Sequence, residues 1–139
     1  MQPRTNQWLL SRLDHLWNAH FSDIKQINPV FISFGRSARL RFGSIRLDPR
    51  SGKTIITITG MFKNESIPQS VVDHTIGHEL CHYTHGFSSP HRRLHKYPHS
   101  GGVIKKEMTE RGMLDLYKAY KEWLKVYREE LKDYYRNRR

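Results

Sequence analysis

Two histidines and a glutamate stand at a spacing that suits metal-assisted hydrolysis. They belong to the run His78-Glu79-Leu80-Cys81-His82, in which the histidines are four positions apart. On a helix such residues project from one face, so both imidazoles can bind one ion. Zinc accepts neutral imidazole nitrogens, and a third ligand with a water completes a catalytic site. The pattern therefore predicts a zinc-dependent peptidase in which Glu79 activates the metal-bound water and passes its proton to the leaving amine.

The third ligand must come from outside this helix, because one straight helix cannot surround three sides of a tetrahedral ion. This argues against His85, which lies near the same face. The candidates downstream are His91, His95, His99, Glu107 and Glu110. His99 is favoured because it ends a loop and comes just before a new helix that can hold it rigidly. His91 and His95 stand among arginines and a lysine, so we expect them to lie on the surface or to contact a nucleic acid.

The segments before the motif predict an α+β domain. An amphipathic pattern over residues 8–21 indicates a first helix. Three strand-like runs follow, at residues 30–34, 39–47 and 54–59. Turns rich in Gly, Pro, Asp and Ser separate them, so a small antiparallel three-stranded sheet is the simplest arrangement.

The helix that carries the motif has start and stop signals. Ser66 is a candidate N-cap, and Gln69 completes a capping box three positions later. The helix is expected to end near His85, because Gly86 is a natural C-terminal stop. Its predicted core face is Val71, Val72, Ile76 and Leu80. Cys81 points away from the two histidines and is interpreted as a packed thiol.

The C-terminal part predicts a long, basic amphipathic helix over residues 103–135, interrupted near Gly112. Its apolar stripe has heptad spacing and consists of Met113, Tyr117, Tyr120, Leu124, Tyr127, Leu131 and Tyr134. The stripe suits either a dimer seam or packing within this chain, against its own sheet or first helix. We favour packing within the chain. A basic end follows at residues 136–139. We expect residues 1–139 to form a single domain.

The charge points to an anionic partner. Lysine and arginine total 24 against 13 acidic residues, which gives a net charge of +11. A surplus this large favours nucleic acid, with DNA contacted through phosphate groups. The candidate contacts, clustered on the predicted second strand and its turns, are Arg36, Arg39, Arg41, Arg46 and Arg50. The alternative is that they form only the polar outer face of a one-sided sheet.

Composition excludes several other classes. One cysteine cannot form an internal disulfide, and it rules out a four-cysteine zinc ribbon. No apolar run approaches the roughly 18 residues that a membrane span needs. The N-terminus lacks the features of a signal peptide. We therefore expect a cytoplasmic protein with no membrane partner.

The order of strands, a helix bearing HELCH and then a histidine after a loop resembles the SprT-like family of zinc metallopeptidases. That family includes bacterial SprT proteins and the spartan proteases that digest proteins crosslinked to DNA. The resemblance covers residues 28–112, including the run GSIRLDPRSGKTIITIT and the stretch His99-Ser100-Gly101-Gly102-Val103. It implies a zincin-like fold, zinc bound by His78, His82 and His99, and Glu79 as general base. It also implies a protein or peptide substrate, with DNA-associated proteins among the substrates.

Two other functions stay open at this point. One is a nucleic-acid-binding module in which His78 and His82 hold a structural zinc. A closed structural site would leave Glu79 without a role and would need a fourth protein ligand, such as His91 or His95. The other is a toxin or partner-dependent peptidase that is inactive alone.

Overall fold

Four α-helices and one three-stranded sheet make up residues 3–137, the part of the chain described by a computed structural model. The elements are α1 (Asn6–His20), β1 (Val30–Phe34), β2 (Gly43–Leu47), β3 (Thr54–Ile58), α2 (Gln69–Thr84), α3 (Val103–Glu110) and α4 (Leu114–Arg136). The α+β class is therefore confirmed. Within this range no helix is long and apolar enough to cross a membrane. The last two residues of the predicted basic end, 138 and 139, lie outside the described residues.

The sheet is mixed, so the predicted antiparallel arrangement is wrong. The strand order is β1-β3-β2, with β1 parallel and β2 antiparallel to β3. The run at β3 is apolar or β-branched at every position, and Thr54, Ile56 and Ile58 are all fully buried. A strand of this kind belongs in the centre of a sheet. Residues 35–42 accordingly carry the chain past β3, and β2 forms the far edge.

The sequence predicted a second strand that begins at residue 39, but β2 begins at Gly43. The preceding segment leaves the strand direction and lies along α4. There the hydroxyl of Tyr127 donates a hydrogen bond of 2.6 Å to the carbonyl oxygen of Arg39. The guanidinium group of Arg39 stacks on the ring of Tyr134 at 4.2 Å. Of the predicted DNA-contact residues, Arg39 therefore lies against α4 and is not part of the strand.

The first helix is confirmed, and it packs its apolar face into the core. Thr5 caps it by accepting a hydrogen bond from the backbone amide of Trp8. Leu9, Leu13 and Leu16 are buried. An ion pair of 2.9 Å between Arg12 and Asp73 connects α1 to α2.

The start of α2 differs from the prediction. Pro68 occupies the N-cap position and makes no side-chain cap hydrogen bond. Because the helix begins at Gln69, Ser66 lies outside the cap position and the expected capping box does not form. The end is as predicted, since the helix stops at Thr84 and Gly86 follows with φ of 76°.

The C-terminal helix is interrupted where the sequence indicated. Gly112, with φ of 80°, lies between α3 and α4. Met113 and Leu124 are buried, and the other residues of the heptad stripe are half-buried. Phe42 contacts the rings of Tyr120 and Tyr127. The stripe therefore packs within the chain, but its main partners are α2 and the segment before β2, not the sheet or first helix that the sequence predicted.

Candidate metal centre

Helix α2 is buried on nearly every side, between the sheet, α1 and α4. Its predicted core residues, Val71, Val72, Ile76 and Leu80, are at most 1% exposed. Cys81 is buried as a free thiol, as predicted. This packing fixes the helix backbone, and with it the direction of the histidines on its remaining face.

The imidazoles of three histidines converge on one point. Nε2 of His82 lies 3.1 Å from Nε2 of His78 and 3.0 Å from Nε2 of His99. Tetrahedral zinc with Zn–N bonds of about 2.0–2.1 Å places its nitrogen ligands about 3.3 Å apart. The three nitrogens therefore fit a small divalent ion such as zinc. Each neutral ring nitrogen offers either one donor or one acceptor, so the three nitrogens can share at most one full hydrogen bond or one bifurcated bond among themselves.

Burial keeps the two helical histidines neutral. Desolvation, reinforced by His99, lowers the pKa of His78 to about 4. Desolvation, reinforced by the neighbouring histidines, lowers the pKa of His82 to about 3. Neutral imidazole is the form that binds metal ions. Nδ1 of His82 has no hydrogen-bond partner among the described residues, so packing against Phe87 at 5.4 Å orients this ring.

The loop after α2 brings His99 to the helix. Its backbone is tied down where Leu94 N donates to the carbonyl oxygen of His85 at 2.9 Å. A Cβ on Gly86 would lie 2.4 Å from the carbonyl oxygen of Arg92, so this close approach requires glycine. After His99, Gly101 and Gly102 both have positive φ and lead into α3. His99 is thus followed by a short 3₁₀ turn, Ser100–Gly102, and then by α3, rather than directly by the helix that the sequence suggested.

The other candidate ligands have different partners. His85 is hydrogen-bonded to Glu107, with 2.8 Å between Nε2 and Oε1. His95 packs edge-on against the ring of His85, and His91 is bonded to the carbonyl oxygen of Lys25 at 2.7 Å. Glu110 is exposed on α3. The structure brings His78, His82 and His99 together and leaves the alternatives elsewhere.

Glu79 lies beside the three histidines and is only 5% exposed. Burial raises the pKa of its carboxyl to about 7, against the opposing effect of the Arg41 charge. A metal ion at the histidines would act in the same direction as Arg41 and favour the carboxylate.

A cavity of about 440 Å³ opens in front of this group. The three histidines and Glu79 line one wall, residues 39–45 line another, and α4 contributes a third. Of the predicted basic residues, Arg39 and Arg41 line the cavity, whereas Arg36, Arg46 and Arg50 are not part of its lining.

Among the lining residues that sequence reasoning missed are His74 and Arg128. The ring of His74 stacks on Tyr120 with centroids 4.0 Å apart, and burial, with His78 and Lys121, lowers its pKa to about 3. A signal for His74 was present, because it stands four positions before His78 on the same helix face. Arg128 had none, since only the packing of α4 brings it to the cavity.

No protein-family model, curated protein or solved structure matches this chain.

Gly43 allows β2 to lie close to α2 at this cavity. A Cβ at this position would lie 2.8 Å from Cγ2 of Thr75 and 3.4 Å from Oε1 of Glu79. Because both elements are packed, we expect Gly43→Ala to lower the free energy of unfolding by about 1–3 kcal/mol, measured by urea denaturation. Thr75→Ser removes the clashing methyl group and keeps the hydroxyl that donates to the Val71 carbonyl oxygen. The double variant should recover most of the loss, and failure to recover would assign the loss to another cause.

Proposed function

We propose that the protein is a zinc-dependent endopeptidase of the SprT-like, zincin type. The observation that carries the proposal is the convergence of three Nε2 atoms beside the buried carboxyl group of Glu79, with those of His78 and His99 lying 3.1 and 3.0 Å from that of His82. The arrangement suits hydrolysis because one wall of an open cavity presents both an ion site and a proton acceptor.

His78, His82 and His99 would hold the zinc ion. Bound zinc supplies Lewis acidity towards the substrate carbonyl and the attacking water. Glu79 takes the proton of that water and delivers it to the leaving amine nitrogen. Its burial excludes bulk water from the carboxyl group and fixes the geometry of the transfer.

The sheet edge offers a way to hold an extended substrate. Strand β2 is at the edge of the sheet, and its residues 43–45 line the cavity beside Glu79. An edge strand presents unpaired backbone groups that an extended peptide can pair with. A peptide bound in this way runs past the metal-binding histidines.

A structural zinc site is the weaker alternative. A closed site needs four protein ligands. Among the described residues, the group that can share an ion contains His78, His82 and His99 only. That leaves a position for water and substrate, which favours catalysis. The proposal that the substrates include DNA-associated proteins rests on the net charge of +11 and on the family resemblance.

The first test of the proposal is metal content. The purified chain should contain about one zinc per molecule by elemental analysis, and His99→Ala should lose most of it, because two imidazoles on one helix hold zinc weakly. His95→Ala is the matched control, since His95 lies in the same loop but outside the histidine group. Equal zinc loss in both variants, or undiminished zinc in His99→Ala, would contradict the proposed site.

A further inference from the structure

The cavity beside the histidines has an apolar floor that α4 supplies. Tyr120, Leu124, Tyr127 and Leu131 line it from that helix, and Phe42 lines it from the opposite side. Leu124 is buried and the other four are half-buried; among these, the ring of Phe42 contacts the rings of Tyr120 and Tyr127. A pocket of about 440 Å³ with this lining can enclose a large apolar side chain.

Three arginines form the rim of the same cavity. Arg39, Arg41 and Arg128 all line it and all are exposed. None of the three takes part in an ion pair within residues 3–137. The one carboxylate in the lining is Glu79, which lies at the inner end. Three arginines against one carboxyl group give the described cavity lining an excess of positive charge at its rim.

Helix α4 holds one of the rim arginines, Arg39, in place. Tyr127 bonds the backbone of Arg39, and the ring of Tyr134 lies against its guanidinium group at 4.2 Å. Arg128 follows Tyr127 directly on the same helix. A fixed guanidinium group pairs with a carboxylate through two hydrogen bonds, which a lysine side chain cannot do.

We propose that this cavity selects peptide segments in which a large apolar side chain has acidic neighbours. The inference rests on the proposed peptidase function and names its substrate class. The apolar side chain enters the floor between α4 and Phe42, and aspartate or glutamate beside it pairs with the rim arginines. A lysine at the same place meets three like charges and is rejected.

A peptide fits these features better than a nucleic acid does. The positive groups surround a concave, apolar space that is the size of a side chain and lies next to the proposed catalytic group. The aromatic rings lie in the floor, packed against one another, and do not form an exposed platform for stacking bases. The experiment is nevertheless designed to detect binding of a nucleic acid at the same surface.

The experiment measures peptide binding to the full-length Glu79→Gln chain, loaded with zinc, by fluorescence anisotropy at about 0.15 M salt. The ligands are labelled peptides with a central phenylalanine flanked by glutamates, the same peptide with lysines, and the glutamate peptide with a central alanine. The glutamate–phenylalanine peptide should bind about tenfold more tightly than either of the others.

Two charge reversals locate the binding surface. Arg128→Glu should weaken binding of the glutamate–phenylalanine peptide about tenfold and strengthen binding of the lysine peptide. Arg46→Glu is the matched control: it makes the same change in net charge at an exposed position outside the cavity lining. Its effect should be about twofold or less at this salt concentration.

Several results would overturn the inference: equal affinity for the glutamate and lysine peptides, equal affinity for the phenylalanine and alanine peptides, or equal effects of the two reversals. A competing oligonucleotide would also overturn it. In that case a short single-stranded oligonucleotide displaces the peptide, and Arg128→Glu weakens binding of the oligonucleotide as much as binding of the peptide. The wild-type chain separates this inference from the proposed function. Cleavage of all the peptides at equal rates would support the peptidase function and contradict the proposed selectivity. Selective binding without cleavage would support the selectivity and contradict the peptidase function.

Discussion

Glu79→Gln should reduce the rate of peptide hydrolysis by about 10²–10⁴-fold and leave the zinc content unchanged. The amide of glutamine has nearly the shape of the carboxyl group but cannot accept the proton of the attacking water. Glu79 is not among the three residues that can share the ion, so its replacement should not affect metal binding. Rates are measured on an unstructured protein substrate, with zinc determined in the same preparations.

A second glutamate provides the control. Glu110 is an exposed carboxylate on α3, and Glu110→Gln changes the net charge by the same amount without touching the cavity. Its rate should equal that of the wild-type chain. Full activity in Glu79→Gln would exclude Glu79 as the general base, and loss of zinc in that variant would mean that the residue helps to hold the ion.

The candidate metal centre could be predicted because its information is local. The four-residue spacing of His78 and His82 fixes their common direction once the segment is helical. His99 was inferred from its position, as the last residue of a loop before a new helix, and from the family resemblance. The glycines at 101 and 102, which take positive φ in the structure, are part of the same signal. Each of these inferences needs only the backbone within a few residues.

The sheet topology could not be predicted in this way. Turn-like residues between β1 and β2 are compatible with a hairpin, and nothing local forbids it. The outcome depends on which strand occupies the centre, and β3, with Ile56 and Ile58 fully buried, competes better for that place. The free energy that decides this comes from burial against α2 and α1, which a single run of residues does not reveal.

The cavity needed the tertiary structure for the same reason. The heptad stripe of α4 correctly indicated packing within the chain, but it did not indicate that Tyr120 would lie on His74. Nor did it place Arg128 and Arg41 in the lining of the same cavity. The stripe therefore has two roles: its N-terminal part packs against α2, and its remaining part forms one wall of the cavity.

Bound at the proposed site, zinc should stabilise the chain strongly, because it would join the loop to α2. At free zinc about 1,000 times its dissociation constant, binding contributes about 4 kcal/mol. For a domain of this size that corresponds to a rise in Tm of roughly 10–15 °C, measured by circular dichroism with and without a chelator. His99→Ala should abolish most of the rise, since it removes the link between the loop and the helix.

The same link predicts where zinc protects the chain from trypsin. Arg92, Arg93 and Lys96 are exposed in the loop that ends at His99, so each is a cleavage site when the loop moves away from α2. Zinc should slow cleavage at these three sites and leave the rate at Lys132, on the exposed face of α4, unchanged. Fragment masses identify the sites. Uniform protection at all four would indicate that zinc acts only through global stability, and no protection in the loop would mean that His99 does not bind the ion.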